Sequence, residues 1–195
     1  MAINTDYIRG ALERFEGKGV AKGYVPADKS GKPLGVSGVT VASGLDLGQQ
    51  TSAGLRAMGI SDKIISRLAP YIGIKGTAAQ ALLARNPLRL TADEVTAIDT
   101  AVHAAYINTA AGLFGRVSFA AAPKEAQAVA VSLHYQFGKP ERAASPALAN
   151  AWNAMRLGEY AKAAKILSDP LGWSQSHQQY MKRRLAEAAL LEAIK

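Results

Sequence analysis

Ser37-Gly38-Val39-Thr40-Val41-Ala42-Ser43-Gly44-Leu45-Asp46-Leu47-Gly48-Gln49 is the stretch that decides the fold. Val39 and Val41 alternate with Thr40 and Ala42, the period of a strand. That reading turns the valines to the core and Thr40 to the other face. Glycine is concentrated between positions 17 and 48, together with Pro26 and Pro33, so the segment reads as loops and short strands rather than helix.

On its N-terminal side, Ile8, Ala11, Leu12 and Phe15 recur at the spacing of one helical face. A helix over about 4–16 follows, with Thr5 or Asp6 as its cap and Gly17 as its left-handed stop. Glu16 therefore closes this helix, while Asp46 lies beside the short strand that carries Thr40.

On the C-terminal side the pattern is helical to the end. Thr51 and Ser61 suit N-caps. Thr91-Ala92-Asp93-Glu94 has the capping-box form, in which Thr91 and Glu94 satisfy each other's exposed amides. It opens a long helix through Val95, Ile98, Val102, Ala105 and Tyr106 to about Phe114. Pro123 suits a first helical position, with Gly138 beyond the end of that helix. Ser145-Pro146 begins another that ends near Gly158. A short helix over 159–167 is broken by Asp169-Pro170, and a last one runs over about 176–194, with Leu185, Ala189 and Ile194 among its apolar positions. The expected architecture is α+β and mainly α. A small glycine-rich β lobe over about 17–50 and a larger helical lobe over about 51–195 are joined by the first helix in a single domain.

The bulk properties agree with one folded domain. The chain has 195 residues, of which 49% are hydrophobic and 19% charged, enough to bury a core. With no cysteine it has no disulfide framework and no thiolate chemistry. No apolar run reaches the roughly 18 residues of a membrane-spanning helix. The start of the chain lacks the pattern of a secretion signal. The formal net charge of +8 suits either a well-solvated surface or attraction to a polyanion such as an anionic envelope polymer.

Several chemistries lack their motif. His103, His134 and His177 show no metal-ligand spacing, so neither a metal nor a cofactor is expected. There is no Gly-x-Ser-x-Gly elbow and no phosphate-binding Gly-x-Gly-x-x-Gly. Nothing resembles a nucleic-acid reading element, so nucleic acid is not an expected partner. Two carboxylates on different elements, Glu16 and Asp46, are instead what glycoside hydrolysis requires. Taken singly, each has an ordinary reading too: Glu16 as a solvated helix end, Asp46 as a turn residue, Thr40 as a strand threonine.

Phe15-Glu16-Gly17, Gly23-Tyr24-Val25-Pro26 and the stretch from Ser37 to Gln49 together resemble the pesticin-like muramidases. These are bacteriocin toxin domains and phage endolysins related to the T-even phage lysozyme. Leu133-His134-Tyr135-Gln136-Phe137-Gly138, Trp152-Asn153, Trp173 and Arg183-Arg184 follow the order of that family's helical lobe. The resemblance implies a lysozyme-like bilobal fold and cleavage of the β-1,4 bond between N-acetylmuramic acid and N-acetylglucosamine. Glu16 matches the family's general acid, Thr40 its strand threonine, and Asp46 the water-activating, charge-stabilising aspartate. Asp46 follows the threonine here, whereas in the T-even enzyme the aspartate precedes it.

Glu16 must be protonated to act as an acid. A helix C-terminus, and burial where lobes meet, would both favour that form, and a nearby Arg183 or Arg184 would oppose it. The resemblance to the T-even enzyme implies inversion, with the carboxyls roughly 6.5–9.5 Å apart to admit water. Gln136 and Trp173 either line the sugar cleft or serve as a helix-end polar group and a core-edge aromatic. Tyr24 either stacks on a sugar or pins its loop. Arg183 and Arg184 brace Glu16, bind peptidoglycan, or belong to a solvated face.

The expected partner is bacterial peptidoglycan, met by a monomer. Lys182, Arg183, Arg184 and Lys195 leave room for peripheral membrane contact through the last helix. The expected setting is a phage endolysin, made in the host cytoplasm without a signal peptide and reaching the periplasmic wall after holin-type release. The alternatives are a bacteriocin or effector toxin of the same chemistry, a lytic transglycosylase, and a non-catalytic wall-binding module.

Overall fold

A computed structural model describes residues 2–139, 145–173 and 180–194. The described elements are, in order, α1 (Thr5–Glu16), β1 (Val20–Tyr24), β2 (Thr40–Ala42), β3 (Leu45–Asp46), α2 (Ser52–Ala57), α3 (Asp62–Leu68), α4 (Gly76–Arg85), α5 (Ala92–Phe114), α6 (Arg116–Ala121), α7 (Lys124–Phe137), α8 (Pro146–Arg156), α9 (Tyr160–Ser168) and α10 (Met181–Glu192). The class is α+β, mainly α, as expected. The chain divides into two compact units, residues 16–105 and residues 1–15 with 106–195.

The first unit is built on an antiparallel sheet of order β1-β2-β3. Val20 pairs with Ala42 and Tyr24 with Thr40, while Thr40 pairs with Asp46 and Val41 with Leu45. The sheet does not stand apart from the helices that follow it. Gly23 donates to the Leu88 carbonyl at 3.0 Å, and Leu90 to that of Ala21 at 2.8 Å, so the segment after α4 clasps the free edge of β1. Gly76 donates to the Ser37 carbonyl at 2.8 Å. Residues 52–105 therefore group with the strands in one compact unit. A short strand set cannot bury itself; here Val39, Val41, Leu45 and Leu47 are buried, as are Leu55, Ile64, Ile65, Leu68 and Ile98 of the helices in the same unit.

Two of the capping signals, at Thr51 and Thr91, are realised in full. The Thr51 side chain accepts from the Gly54 amide at 3.0 Å. The Thr91 amide donates to Glu94 Oε2 at 2.8 Å and the Glu94 amide to Thr91 Oγ1 at 3.2 Å, closing the box at the start of α5. Ser61 occupies its N-cap position without a side-chain bond, and Pro123 is the cap of α7 rather than its first residue.

The second unit centres on α7, in which every residue from Ala126 to His134 is buried. A helix buried on all faces needs small side chains, and alanine supplies them at 126, 128 and 130. Around it Phe114, Phe119 and Trp152 meet edge to face, with ring centroids 5.7 and 5.4 Å apart. Gln127, also buried, donates to the carbonyls of Phe119 and Ala122 at 3.0 and 3.1 Å and accepts from the Asn4 amide at 2.9 Å. Ile8, Ala11 and Leu12 of α1 join this core, the face that the spacing identified. The last helix is described from Met181, and the start expected near 176 lies outside the described residues.

Candidate functional site

The strand register sets Tyr24, Thr40 and Asp46 in one row across β1, β2 and β3. Directly paired residues project from the same face of a sheet, so these three side chains are neighbours. Tyr24 is exposed and Asp46 half-buried. Thr40 between them is buried at 2% exposure, where alternation alone had turned it away from the core. Longer side chains flank it on both sides of the row. Its hydroxyl donates to the Gly38 carbonyl over a long 3.4 Å.

Asp46 is fixed through one oxygen. Its Oδ1 accepts from the Gly38 and Gly48 amides, each at 2.9 Å, and caps the short 3-10 turn Leu47–Gln49. Oδ2 accepts no bond from the described residues. The cradle exists because positions 38 and 48 are glycine. A Cβ on Gly38 would lie 2.5 Å from the Gly48 Cα and 2.6 Å from the Ile74 carbonyl oxygen; one on Gly48 would lie 2.8 Å from the Gly38 Cα. These two glycines were not recognised in the sequence as part of the site. Their signal was their place at the two ends of the strand pair that carries Asp46.

Glu16 ends α1, and Gly17 follows with φ +83°, the left-handed stop read from the sequence. Glu16 belongs to the same compact unit as Thr40 and Asp46. It stands four residues before Val20, whose strand partner is Ala42. The burial expected of it is not found: Glu16 is exposed.

The other four residues assemble in the second unit, as a buried cluster rather than a surface. Arg184 is wholly buried and Trp173 is 4% exposed. Arg184 Nη2 donates to Gln136 Oε1 at 2.5 Å and to Glu187 Oε1 at 2.8 Å. Its guanidinium lies 5.1 Å from the Phe137 ring centroid and 5.6 Å from that of Trp173. Arg183 donates through Nη2 to Ser132 Oγ at 2.8 Å and lies over the Phe15 ring at 5.3 Å. Ser132 Oγ also donates to Glu187 Oε1. Burial pushes the Glu187 carboxyl above the usual range, against the pull of Arg184, Ser132 and Arg183. Charge pairing in the interior, not solvation, accounts for this end of α10.

The cations of the last helix that suggested peripheral membrane contact are only partly at the surface. Arg184 is buried and Arg183 is mostly covered, which leaves Lys182 as the exposed cation of the three. Lys195 lies outside the described residues. Among the described residues, no helix is long and apolar enough to cross a membrane. No group of three or more His, Asp or Glu side chains among them could hold a metal ion.

Residues 3–160 match a family model described as "Pesticin: Bacterial toxin homologue of phage lysozyme, C-term". Among solved structures, a crystal structure of a mutant of P22 lysozyme matches with a TM-score of 0.52 at 18% identity. The match covers 99% of this chain and 99% of that one. At that identity the likeness speaks for the fold, which is lysozyme-like. No curated protein matches the chain significantly.

Proposed function

Because the chain belongs to the pesticin family, the bacterial toxin homologues of phage lysozyme, we propose that it is a muramidase-type peptidoglycan hydrolase. Its substrate is the β-1,4 bond between N-acetylmuramic acid and N-acetylglucosamine. The observation that carries this reading is the Thr40–Asp46 pair, in which Asp46 is anchored through Oδ1 and open at Oδ2. A carboxylate held rigid by two backbone amides cannot swing away from a water bound to its second oxygen.

In the proposed reaction Glu16 gives its proton to the leaving glycosidic oxygen as the bond to the anomeric carbon breaks. Asp46 Oδ2 takes a proton from the attacking water. The Thr40 oxygen, with lone pairs to spare, accepts that water's second hydrogen and so directs its own lone pair at the sugar. The new bond forms opposite the old one, and the anomer inverts. Tyr24, exposed at the end of the row, offers a ring for a sugar face. The +8 net charge draws the protein towards an anionic envelope.

Turbidity loss of outer-membrane-permeabilised cells tests this. The wild type clears the suspension, and Glu16→Gln and Asp46→Asn do not. An inactive wild type would reduce the chain to a wall-binding module. Released muropeptides lighter by one water would make it a lytic transglycosylase, and a β product in NMR would replace inversion by retention.

The biological setting we favour is phage-driven lysis after holin-type release. The family's own description favours a second setting, a toxin of the same chemistry. Neighbouring holin and spanin genes argue for the first, and an immunity gene for the second.

A further inference from the structure

Asp99, in the middle of α5, has no part in the reaction proposed above. Its Oδ1 accepts the Ser43 amide at 2.8 Å. Ser43 sits in the tight turn between β2 and β3, three residues after Thr40 and three before Asp46. This turn is conformationally costly. Ala42 has φ +52°, the one non-glycine residue with positive φ among those described, and Gly44 follows with φ +100°. Such a backbone persists only when its surroundings over-determine it. The Ser43 amide bond to Asp99 is one of those determinants; another is the Gly44 amide bond to the Val41 carbonyl at 3.2 Å.

The same carboxylate touches a second segment. A Cβ on Gly19 would lie 2.4 Å from Asp99 Oδ2, 2.8 Å from Val95 Cγ1 and 3.2 Å from the Ala42 carbonyl carbon. The Gly19 backbone is thus wedged between α5 and the β2–β3 turn, and a side chain at position 19 would have to displace the Asp99 carboxylate. Gly19 is three residues after Glu16. One carboxylate therefore borders the backbone three residues from each of Glu16, Thr40 and Asp46.

We propose that Asp99 is a positioning residue for the hydrolytic site. It holds the turn that carries Thr40 and Asp46 against the segment that delivers Glu16, and so sets the spacing between acid and base. The inference rests on the hydrolase reading. Hydrolysis with inversion depends on that spacing, because the gap must admit one water. Misplacement by about 1 Å costs on the order of 100-fold in rate.

The test compares the wild type, Asp99→Ala and Asp99→Asn on purified peptidoglycan, well below each variant's melting temperature. Asparagine keeps an oxygen for the Ser43 amide; alanine does not. Asp99→Ala should lose about 10- to 100-fold in kcat per folded molecule with KM little changed, and Asp99→Asn should recover most of it. The Ser43 amide proton, followed by NMR, should move upfield in Asp99→Ala and stay near its wild-type position in Asp99→Asn. That signal reports the contact whether or not the protein turns over. Wild-type kcat per folded molecule in Asp99→Ala overturns the inference and leaves the hydrolase reading standing. So does a loss confined to KM, or one that asparagine fails to rescue. A wild type that releases no reducing ends sinks the hydrolase reading, and the inference with it.

Discussion

Thr40 and Asp46 stand directly opposite one another across the β2–β3 ladder. Each is also tied to Gly38, Thr40 through the carbonyl and Asp46 through the amide. The hydroxyl and the carboxylate thus share one backbone anchor. A shared anchor of this kind limits their relative displacement, which the proposed water-directing pair requires.

In the proposed reaction the two oxygens of Asp46 have separable duties, and two substitutions tell them apart. Asp46→Asn keeps an acceptor for the Gly38 and Gly48 amides but removes the proton acceptor. Wall-lysing activity should fall on the order of 100- to 10,000-fold, with a melting temperature close to wild type. Asp46→Ala should lose activity equally and also about 1–2 kcal/mol of stability, since it strands two amides and uncaps a turn. Urea unfolding beside a turbidity assay checks both. Equal stability of the two variants would deny Oδ1 its anchoring duty.

Gly38→Ala and Gly48→Ala should each destabilise the protein by about 1–3 kcal/mol, the usual range for overpacking against atoms that cannot yield. The atoms in the way are backbone, the Gly48 Cα and the Ile74 carbonyl oxygen for position 38. Activity should fall further than the unfolded fraction explains, because the Asp46 cradle is displaced. Gly31→Ala is a useful contrast. It meets nothing within 4 Å and sits at φ +82°, so it carries a conformational cost alone.

Local signals were legible wherever one residue answers its own neighbourhood. The spacing of Ile8, Ala11 and Leu12 identified the buried face of α1, and Thr91 with Glu94 announced the start of α5. What could not be read was tertiary. Alternation gives Thr40 a face but not what covers that face, and Tyr24 and Asp46 arrive there from other strands. A run of Lys182, Arg183 and Arg184 reads as a solvated stripe. The interior place of Arg184 depends on Gln136, Phe137 and Trp173, which lie far off in sequence. The grouping of residues 52–105 with the sheet depends on backbone bonds such as Gly76 to Ser37, which leave no trace in composition. The end of α5 near Phe114 was read, but the short helix α6 was not, although Gly115, with φ +96°, sets it off from α5.

The buried cluster of α10 should respond very differently to breaking and to replacement. Glu187→Ala leaves two guanidinium groups without their shared carboxylate and should cost about 3–5 kcal/mol. The double variant Arg184→Met with Glu187→Leu removes the buried charge pair and fills its space, and should regain most of that loss. Chemical unfolding of both decides the matter. If the double variant is as unstable as Glu187→Ala, the pair contributes shape that apolar side chains cannot supply.

Glu94 supplies a pH dependence that can be isolated. The Thr91 backbone amide, then the Arg67 guanidinium, hold its carboxyl below the usual glutamate value. A depressed folded value means that the ionised form stabilises the fold. The contribution is complete above the unfolded value of about 4.3 and is lost as pH falls through the lower folded one. Wild type should exceed Glu94→Gln by about 0.5–1 kcal/mol near neutral pH, the size of a cap and a partly exposed ion pair. The gap should close as pH falls through that lower folded value, since both proteins then present a neutral side chain to Thr91 and Arg67. Added salt at neutral pH should remove only the share that Arg67 provides, because the short amide bond is screened less than the exposed guanidinium. A gap that stayed constant from acid to neutral pH would mean that the glutamate acts through its shape and not its charge.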